Sequence, residues 1–454
     1  MGRAQPYRQH YRITLEPNWK FTDGSLVSAK SFVEAWNYGA LGTNGQLQSW
    51  AFASIAGYDE VSANPPRAQT MSGLKVIDDR TFTVDLTRPS IDFELSLGFP
   101  PFYPLPEAAY KNMKAFGANP IGNGPYKFES PDAWQHNVKI DLVPNPDYHG
   151  DRQPKNKGLR FVMYQSYDSA YADLLAGNLD LLDTIPNNAL TTFQADLGDR
   201  VIKKPTAEYQ HIGFQPTMPH FAGEEGVLRS KAISLAINRQ QICDAIWHGT
   251  KIPARDFTSS SLPGFNGNLA GSELLKYNPD EARRLWTQAN AIAPWSGPFK
   301  IAYNSDGDHA AWIDAIANSV KNTLGIDAQG VPYATFKTMR DQIVGKTIHM
   351  AFRKGWQGNY PTMLNFLMPK YLSDSASNDI GYVNTEFDKL LAAALAAPAP
   401  EGSYNLVAQA QTILFQDMPD IPVFDSIAIA GYSDKVRHVS LSWNGLFDFE
   451  NVEK

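Results

Sequence analysis

The spacing of apolar residues along the chain is the feature that most constrains its fold. Runs with strand-like alternation, such as residues 11–16 and 81–86, recur between segments with helical spacing. One such segment places Trp312, Ile316 and Val320 on a single helical face, and Gly325 follows as a stop signal. Because strands and helices alternate without an obvious linker and several strand pairs resemble hairpins, the sequence predicts an α/β fold. It also predicts a hairpin turn around Asp79, a helix capped by Ser28 and a helix over residues 107–116.

Length and composition narrow the class of protein further. The chain has 454 residues, 43% of them hydrophobic, which is enough for two to four domains. Its formal charge of −7 argues against a nucleic-acid partner, because phosphate binding needs a basic surface. Aromatic residues make up 12% of the chain, which excludes wholesale disorder. The sequence contains no apolar run of about 18 residues of the kind that spans a membrane.

Cysteine and histidine usage argues against covalent or metal cross-links. Cys243 is the only cysteine, so neither an internal disulfide nor a cysteine-rich zinc site can form. The apolar residues around Cys243 predict a buried core position, with a catalytic thiol as the alternative. Nine histidines are scattered without metal-ligand spacing, and we expect no metal and no cofactor.

Catalytic signatures are scarce. The sequence has no nucleophile elbow, no zinc-protease motif and no phosphate-binding glycine loop. The loop Ser305-Asp306-Gly307-Asp308-His309 either caps the helix that follows or contacts a ligand. A hydrolase using Asp308 and His309 with a cleft nucleophile is the enzyme alternative, but no complete nucleophile–base set can be assembled, so no catalytic residue is predicted.

The tract from Arg353 to Pro361 is the most informative. It follows a predicted strand and combines cations, two glycines and two aromatic residues. Glycine lets another backbone approach closely, and arginine binds a carboxylate through two parallel hydrogen bonds. Such a set suits a peptide laid along a strand. The competing interpretation is an ordinary strand-to-turn junction with a core tryptophan.

The first residues set a further expectation. Residues 1–8 are polar and basic, without the apolar segment of an export signal, and a strand-like run begins directly after them. We therefore expect the chain to begin inside a fold.

Short motifs occur in a characteristic order along nearly the whole chain. They are the strand and Trp-Lys-Phe-Thr-Asp-Gly turn of residues 11–24, the helix of 28–36, Asn-Pro-Ile-Gly-Asn-Gly-Pro-Tyr at 119–126, Asn-Pro-Asp-Tyr at 145–148, Ala-Gly-Asn-Leu-Asp at 176–180, Ala-Ile-Ser-Leu-Ala-Ile-Asn-Arg at 232–239, and Tyr-Asn-Pro-Asp-Glu-Ala at 277–282. In this order they resemble the extracellular solute-binding proteins of ABC transporters, family 5, which bind oligopeptides and dipeptides.

The resemblance implies a periplasmic-binding-protein type II-like clamp with two lobes and three domains. The implied division is a small domain at 1–117, the first part of the main lobe at 118–218, the second lobe at 219–425 and a return to the main lobe at 426–454. The N-terminal strands of the first lobe are expected to be missing.

The resemblance also implies a function. The chain is expected to be a non-catalytic receptor of an ABC importer that captures a small peptide or peptide-like ligand between its lobes. Its partners would be the permease subunits in the membrane. We expect a monomer in the periplasm or, as a lipoprotein, on the cell surface. A sensory receptor for a non-peptide ligand, such as a sugar or a metal chelate, stays open beside the hydrolase.

Site residues follow from two motifs of the family. In the strand motif R-x-G-W-x-x-D, the arginine binds the peptide carboxylate and the aspartate binds the α-ammonium. Arg353, Gly355 and Trp356 match this motif, Gln357 lies within it, and Asn359 stands at the aspartate position. An amide offers an acceptor but no charge, so the match keeps the carboxylate site and weakens the ammonium site.

The second motif, Y-N-x-x-x-x-H, is matched by Tyr303, Asn304 and His309. The family's histidine also reaches the carboxylate. Tyr333 stands where those receptors place a cleft tryptophan, and Asp425 is a candidate supplier of the missing negative charge. The ligand is then a peptide whose amine is held elsewhere, an N-modified peptide, or a non-peptide.

Overall fold

The computed structural model describes residues 8–307, 309–375 and 377–454, and the strands of this part form three sheets. The first sheet consists of β1 (His10–Thr14), β2 (Leu74–Asp78) and β3 (Thr81–Asp85), with β3 antiparallel between the other two. The second consists of β4 (Tyr126–Phe128), β5 (Trp134–Gln135), β6 (Lys139–Pro144) and β7 (Leu159–Val162). The other three strands of this sheet each pair with β6. The antiparallel pairing of β2 with β3 in the first sheet confirms the predicted hairpin around Asp79.

The third sheet has seven strands and contains the long central pair. Its members are β8 (Leu181–Leu182), β9 (Val201–Gly213), β10 (Lys251–Pro253), β11 (Phe299–Asn304), β12 (Ala328–Tyr333), β13 (Ala351–Gln357) and β14 (Asp420–Tyr432). They are ordered β10–β14–β9–β13–β11–β12, and β8 pairs with β14. The sheet therefore joins segments that are far apart in the sequence.

The helices lie between these strands, as the alternating pattern predicted. They are α1 (Ala29–Ala40), α2 (Tyr58–Ser62), α3 (Phe93–Ser96), α4 (Glu107–Lys111), α5 (Met113–Ala118), α6 (Tyr167–Leu175), α7 (Phe193–Leu197), α8 (Gly223–Ala236), α9 (Arg239–Trp247), α10 (Pro279–Ile292), α11 (Ala310–Leu324), α12 (Phe336–Val344), α13 (Leu364–Tyr371), α14 (Thr385–Leu395) and α15 (Pro400–Asp417). The α/β fold is confirmed.

Local signals explain several helix ends. Ser28 caps α1 by accepting a hydrogen bond from the Ser31 N–H, and Gly325 ends α11 with φ of 67°, a conformation that favours glycine. Both ends were predicted. A single helix expected over 107–116 is instead two, because Asn112 leaves the helical conformation and caps α5 through Ala115.

Two large hydrophobic cores hold the described chain together. One draws on residues 29–102 around Trp36 and Phe82. The other packs helices against β9, β11, β13 and β14, and it includes Cys243 at 1% exposure. The predicted core position of Cys243 is confirmed, and burial raises the pKa of its thiol to about 12. The three-domain boundaries and the missing N-terminal strands stay predictions.

Candidate functional site

A cavity of about 450 Å³ lies at the centre of the third sheet, over β9 and β13. Its lining includes Arg353, Gly355, Trp356 and Gln357, which are four of the residues predicted to bind a ligand. A larger cavity of about 690 Å³ lies beside β7 and β8 and contains none of the predicted site residues. We therefore take the smaller cavity as the candidate site.

One edge of β13 is open at this cavity. β13 pairs with β9 along residues 352–357, but its parallel pairing with β11 is limited to Ala351 and Phe352. Residues 353–357 thus pair with no strand of the described chain on that side. An unpaired strand edge is a template for an extended chain, which forms main-chain hydrogen bonds with it.

Arg353 is held in place through its Nε atom, whereas its two Nη atoms have no hydrogen-bond partner in the described residues. Its Nε donates to Asn304 Oδ1 at 2.8 Å, and the guanidinium lies 5.0 Å from the centre of the Phe336 ring. Asn304 in turn donates to Asp306. Burial lowers the pKa of Arg353 to about 10, so the side chain stays charged. Within the described residues its Nη atoms form no hydrogen bond, which leaves the planar fork for a carboxylate.

Trp356 lies between charged and aromatic neighbours. The Lys370 ammonium is 4.9 Å from its ring centre, and the Trp50 ring, from the N-terminal core, is 6.4 Å away. Lys370 donates to Asp379 at 3.0 Å, and Arg340 pairs with the same carboxylate at 2.6 Å. Burial lowers the pKa of Lys370 to about 8. Asp379 is thus fully committed to two cations.

A buried ionic network extends from Lys354, which lines the cavity, into the core. Lys354 pairs with Asp420, and the Tyr371 hydroxyl donates to the same carboxylate at 3.0 Å. All three side chains are at most 3% exposed. Burial favours the neutral acid, but the Lys354 charge outweighs it and keeps the pKa of Asp420 well below its usual range. The network fixes β13 to β14 and α13 from the side opposite Arg353.

The residues of the second motif surround the site without lining the cavity. Tyr303 is 9% exposed on β11, and Tyr333 donates to Gln342 Oε1 at 2.7 Å. The Nδ1 atom of His309 accepts a hydrogen bond from Trp312 Nε1 at 3.2 Å. His309 precedes α11 but makes no side-chain cap, and Asp308 lies outside the described residues. Ligand contacts of all three residues stay predictions.

Asn359 and Asp425 occupy positions unlike those expected of ammonium ligands. Asn359 does not line the cavity, its backbone N–H donates to Asn365 at 2.7 Å, and its Nδ2 has no partner in the described chain. Asp425 is 2% exposed and accepts from the Ser260 N–H at 2.9 Å. Burial raises the pKa of Asp425 to about 7. A carboxylate so enclosed is a poor partner for an incoming ligand.

His309 is expected to stay neutral in the unliganded protein. Burial, with the nearby Arg353 charge, lowers the pKa of His309 to about 4, compared with about 6.5 for an exposed histidine. Since Nδ1 is an acceptor, the proton sits on Nε2. Nitrogen-edited NMR should show this tautomer unchanged from pH 8 to pH 5, with the signal assigned through His309→Gln.

The direction in which pH changes the stability of the fold follows from the same pKa. Because the folded-state pKa is depressed, neutral His309 contributes stability that is complete above about pH 6.5 and declines as the pH falls toward 4. The chain unfolded in urea provides the reference titration. Titration of the His309 signal near pH 6.5 in the native protein would contradict this environment.

Several residues that line the cavity were not predicted from the sequence, notably Glu208, Gln210, Arg340 and Asp379. Glu208 and Gln210 lie on β9, which was not predicted because its segment mixes lysines, Pro205 and polar residues. The sequence carried no clear signal for them, because residues 209–213 are all buried and do not alternate with exposed positions. Their place in the site follows from the pairing of β9 with β13.

Comparison with known proteins defines the class that this fold and cleft belong to. The family model described as "Bacterial extracellular solute-binding proteins, family 5 Middle" matches residues 6–378. The murein tripeptide binding protein MppA of Escherichia coli has the same fold, with a TM-score of 0.82 and 22% identity over 99% of this chain and 88% of that chain. The fold is thus that of a periplasmic solute-binding clamp. The chain belongs to the bacterial extracellular solute-binding proteins, family 5.

Curated relatives agree with this assignment. The chain is 24% identical to the oligopeptide-binding protein OppA of Bacillus subtilis, over 97% of this chain and 81% of that protein. It is 27% identical to the periplasmic oligopeptide-binding protein OppA of Salmonella typhimurium, over 90% of this chain and 75% of that protein. Members of the family are binding proteins that act in the periplasm or outside the cell. No helix in the described ranges has both the length and the apolar character needed to cross a bilayer.

Proposed function

We propose that this chain is the substrate-binding receptor of an ABC importer and captures a peptide or peptide-like ligand for delivery to a membrane permease. The observation that carries the proposal is the open edge of β13 with the uncommitted fork of Arg353 at one end. An extended peptide would pair with that edge and place its carboxylate on Arg353. The names of the two OppA relatives support a peptide ligand.

A binding role without catalysis fits the chemistry of the site. The enzyme alternative relies on His309, whose Nδ1 is committed to Trp312 and whose pKa is lowered to about 4. A general base at neutral pH works best with a pKa near 7. Turnover of a peptide library would identify a hydrolase, whereas retention of a sugar or a metal chelate would identify a non-peptide receptor.

Native mass spectrometry of the purified chain, incubated with a library of tri- to hexapeptides, tests the proposal. We expect retention of intact peptides and a rise in the thermal midpoint, because the ligand binds only the folded chain. Gly355→Val should reduce this capture by roughly tenfold or more, since a side chain there obstructs the approach of another backbone. The added Cβ would lie 2.7 Å from Gln210 Nε2, the movable end of a side chain, so the thermal midpoint should change little.

Gly124→Val is the matched control, because a Cβ at Gly124 meets no atom within 4 Å. Its peptide capture should equal that of the native chain. Equal capture by Gly355→Val and the native chain would exclude β13 as the binding edge.

A further inference from the structure

The face of β9 and β13 that carries Arg353 also carries a carboxylate. In an antiparallel pair, directly opposed residues share a face, and here Gly355 lies opposite Gln210 and Gln357 lies opposite Glu208. Glu208 accepts a hydrogen bond from Gln210 Nε2 at 3.3 Å. Both side chains line the cavity that contains Arg353.

Glu208 is the cavity carboxylate that has no cation of its own. Asp379, the other carboxylate of the lining, is shared by Lys370 and Arg340. In the part of the chain that the structure describes, Glu208 forms no ion pair. Lys251 and Arg353 both act on it electrostatically without forming an ion pair with it. The Lys251 ammonium donates to Ser426 Oγ at 3.0 Å, and the Arg353 Nε donates to Asn304 at 2.8 Å.

A second acceptor next to Glu208 also lacks a partner. Gln210 is 9% exposed, and its Oε1 is buried without a hydrogen bond in the described chain. A buried acceptor left unpaired is unfavourable, so a donor from a ligand would be favoured there. Because Gly355 has no side chain, the Gln210 amide lies directly over the Gly355 backbone.

The spacing of the backbone positions of Arg353 and Glu208 matches a short peptide. Arg353 lies opposite Ile212, four strand positions from Gln357 and its partner Glu208. At about 3.3 Å per residue, the two backbone positions lie roughly 13 Å apart, the span of about four extended residues. The two side chains still interact electrostatically, because the Glu208 charge acts to raise the pKa of Arg353. With the carboxylate at Arg353 and the ammonium at Glu208, the peptide would run antiparallel to β13.

We propose that Glu208, with Gln210 Oε1 beside it, binds the α-ammonium of the ligand in place of the aspartate that Asn359 replaces. The ligand class is then a peptide of about three to five residues with a free amino terminus. This inference rests on the proposed function of the same cavity and adds the polarity, the length and the amine selectivity of its ligand.

The test is a capture experiment with a randomised tetrapeptide library supplied as equal free-amine and N-acetylated halves. Native mass spectrometry should show that the native chain retains free-amine peptides at least tenfold over acetylated ones. Glu208→Gln keeps the acceptor for Gln210 and removes only the charge. It should bind free-amine peptides roughly ten- to a hundredfold more weakly, as expected for a lost charged hydrogen bond. Its binding of acetylated peptides should not change.

Glu224→Gln, an exposed change outside the cavity, is the matched control and should behave like the native chain. Failure of the native chain to capture either half would overturn the proposed peptide receptor and this inference with it. Capture with no amine preference, or a preference that Glu208→Gln retains, would overturn only the role of Glu208. Equal thermal midpoints of the two variants would show that the loss comes from the missing charge and not from unfolding.

Discussion

Arg353→Met should weaken the binding of a captured peptide by about 10²- to 10³-fold, or roughly 3–4 kcal/mol. The reason is that the peptide carboxylate would be desolvated in the cavity without a cation to receive it. Arg353→Lys should recover only part of this loss, because lysine keeps the charge but not the two parallel donors. Isothermal titration calorimetry on a peptide identified by the capture experiment measures both effects.

The same peptide with a C-terminal amide separates charge recognition from general damage. The native chain should bind the amide as weakly as Arg353→Met binds the acid, and the variant should lose little further affinity for the amide. Arg88→Met, an exposed position outside the cavity, is the control. If Arg353→Met weakens the acid and the amide equally, Arg353 does not bind the carboxylate.

Asp420→Asn should destabilise the fold by about 3–5 kcal/mol, because it leaves the Lys354 ammonium buried without its anion. Its thermal and urea midpoints should both fall. The pKa of Asp420 is lowered in the folded chain, so its contribution to stability is present above about pH 4 and is lost as the pH falls below that value. The difference between the native chain and the variant should therefore shrink in acid.

Two further variants show whether the effect comes from burial of the charge. Lys354→Met combined with Asp420→Asn should recover much of the stability, because no unpaired ion is left. Asp341→Asn removes an exposed partner of Lys337 and should cost less than about 1 kcal/mol. An Asp420→Asn variant as stable as the Asp341→Asn control would show that the network does not support the sheet.

Adjacent side chains of β13 thus have different roles, although Arg353 and Lys354 both line the cavity. On one face, Lys354 is fully paired with Asp420 and fixes the strand in the core. On the other, Arg353 and Glu208 lie in the cavity without ion pairs in the described chain. Because alternate side chains of a strand point to opposite faces, a single strand both anchors the sheet and presents binding groups.

Much of the fold followed from local patterns. Ser28, Gly325 and the hairpin around Asp79 were readable because capping and turn chemistry depend on residues within a few positions. β9 was not readable, since Pro205 and its polar residues are compatible with a strand only when β13 and β14 lie on either side. The break at Asn112 was missed for a related reason, because one side chain competes there with helix continuation.

The sequence by itself determined the α/β class, the family resemblance and the Arg353–Gln357 tract, because each of these depends on residue types at short spacing. Only the tertiary structure decided which acidic groups are available to a ligand. Asp425 and Asp379 became committed to Ser260, Lys370 and Arg340, whereas Glu208 entered the cavity. The physical reason is that availability depends on burial and on partners brought together by β9, β13 and β14, and those partners lie far apart in the chain.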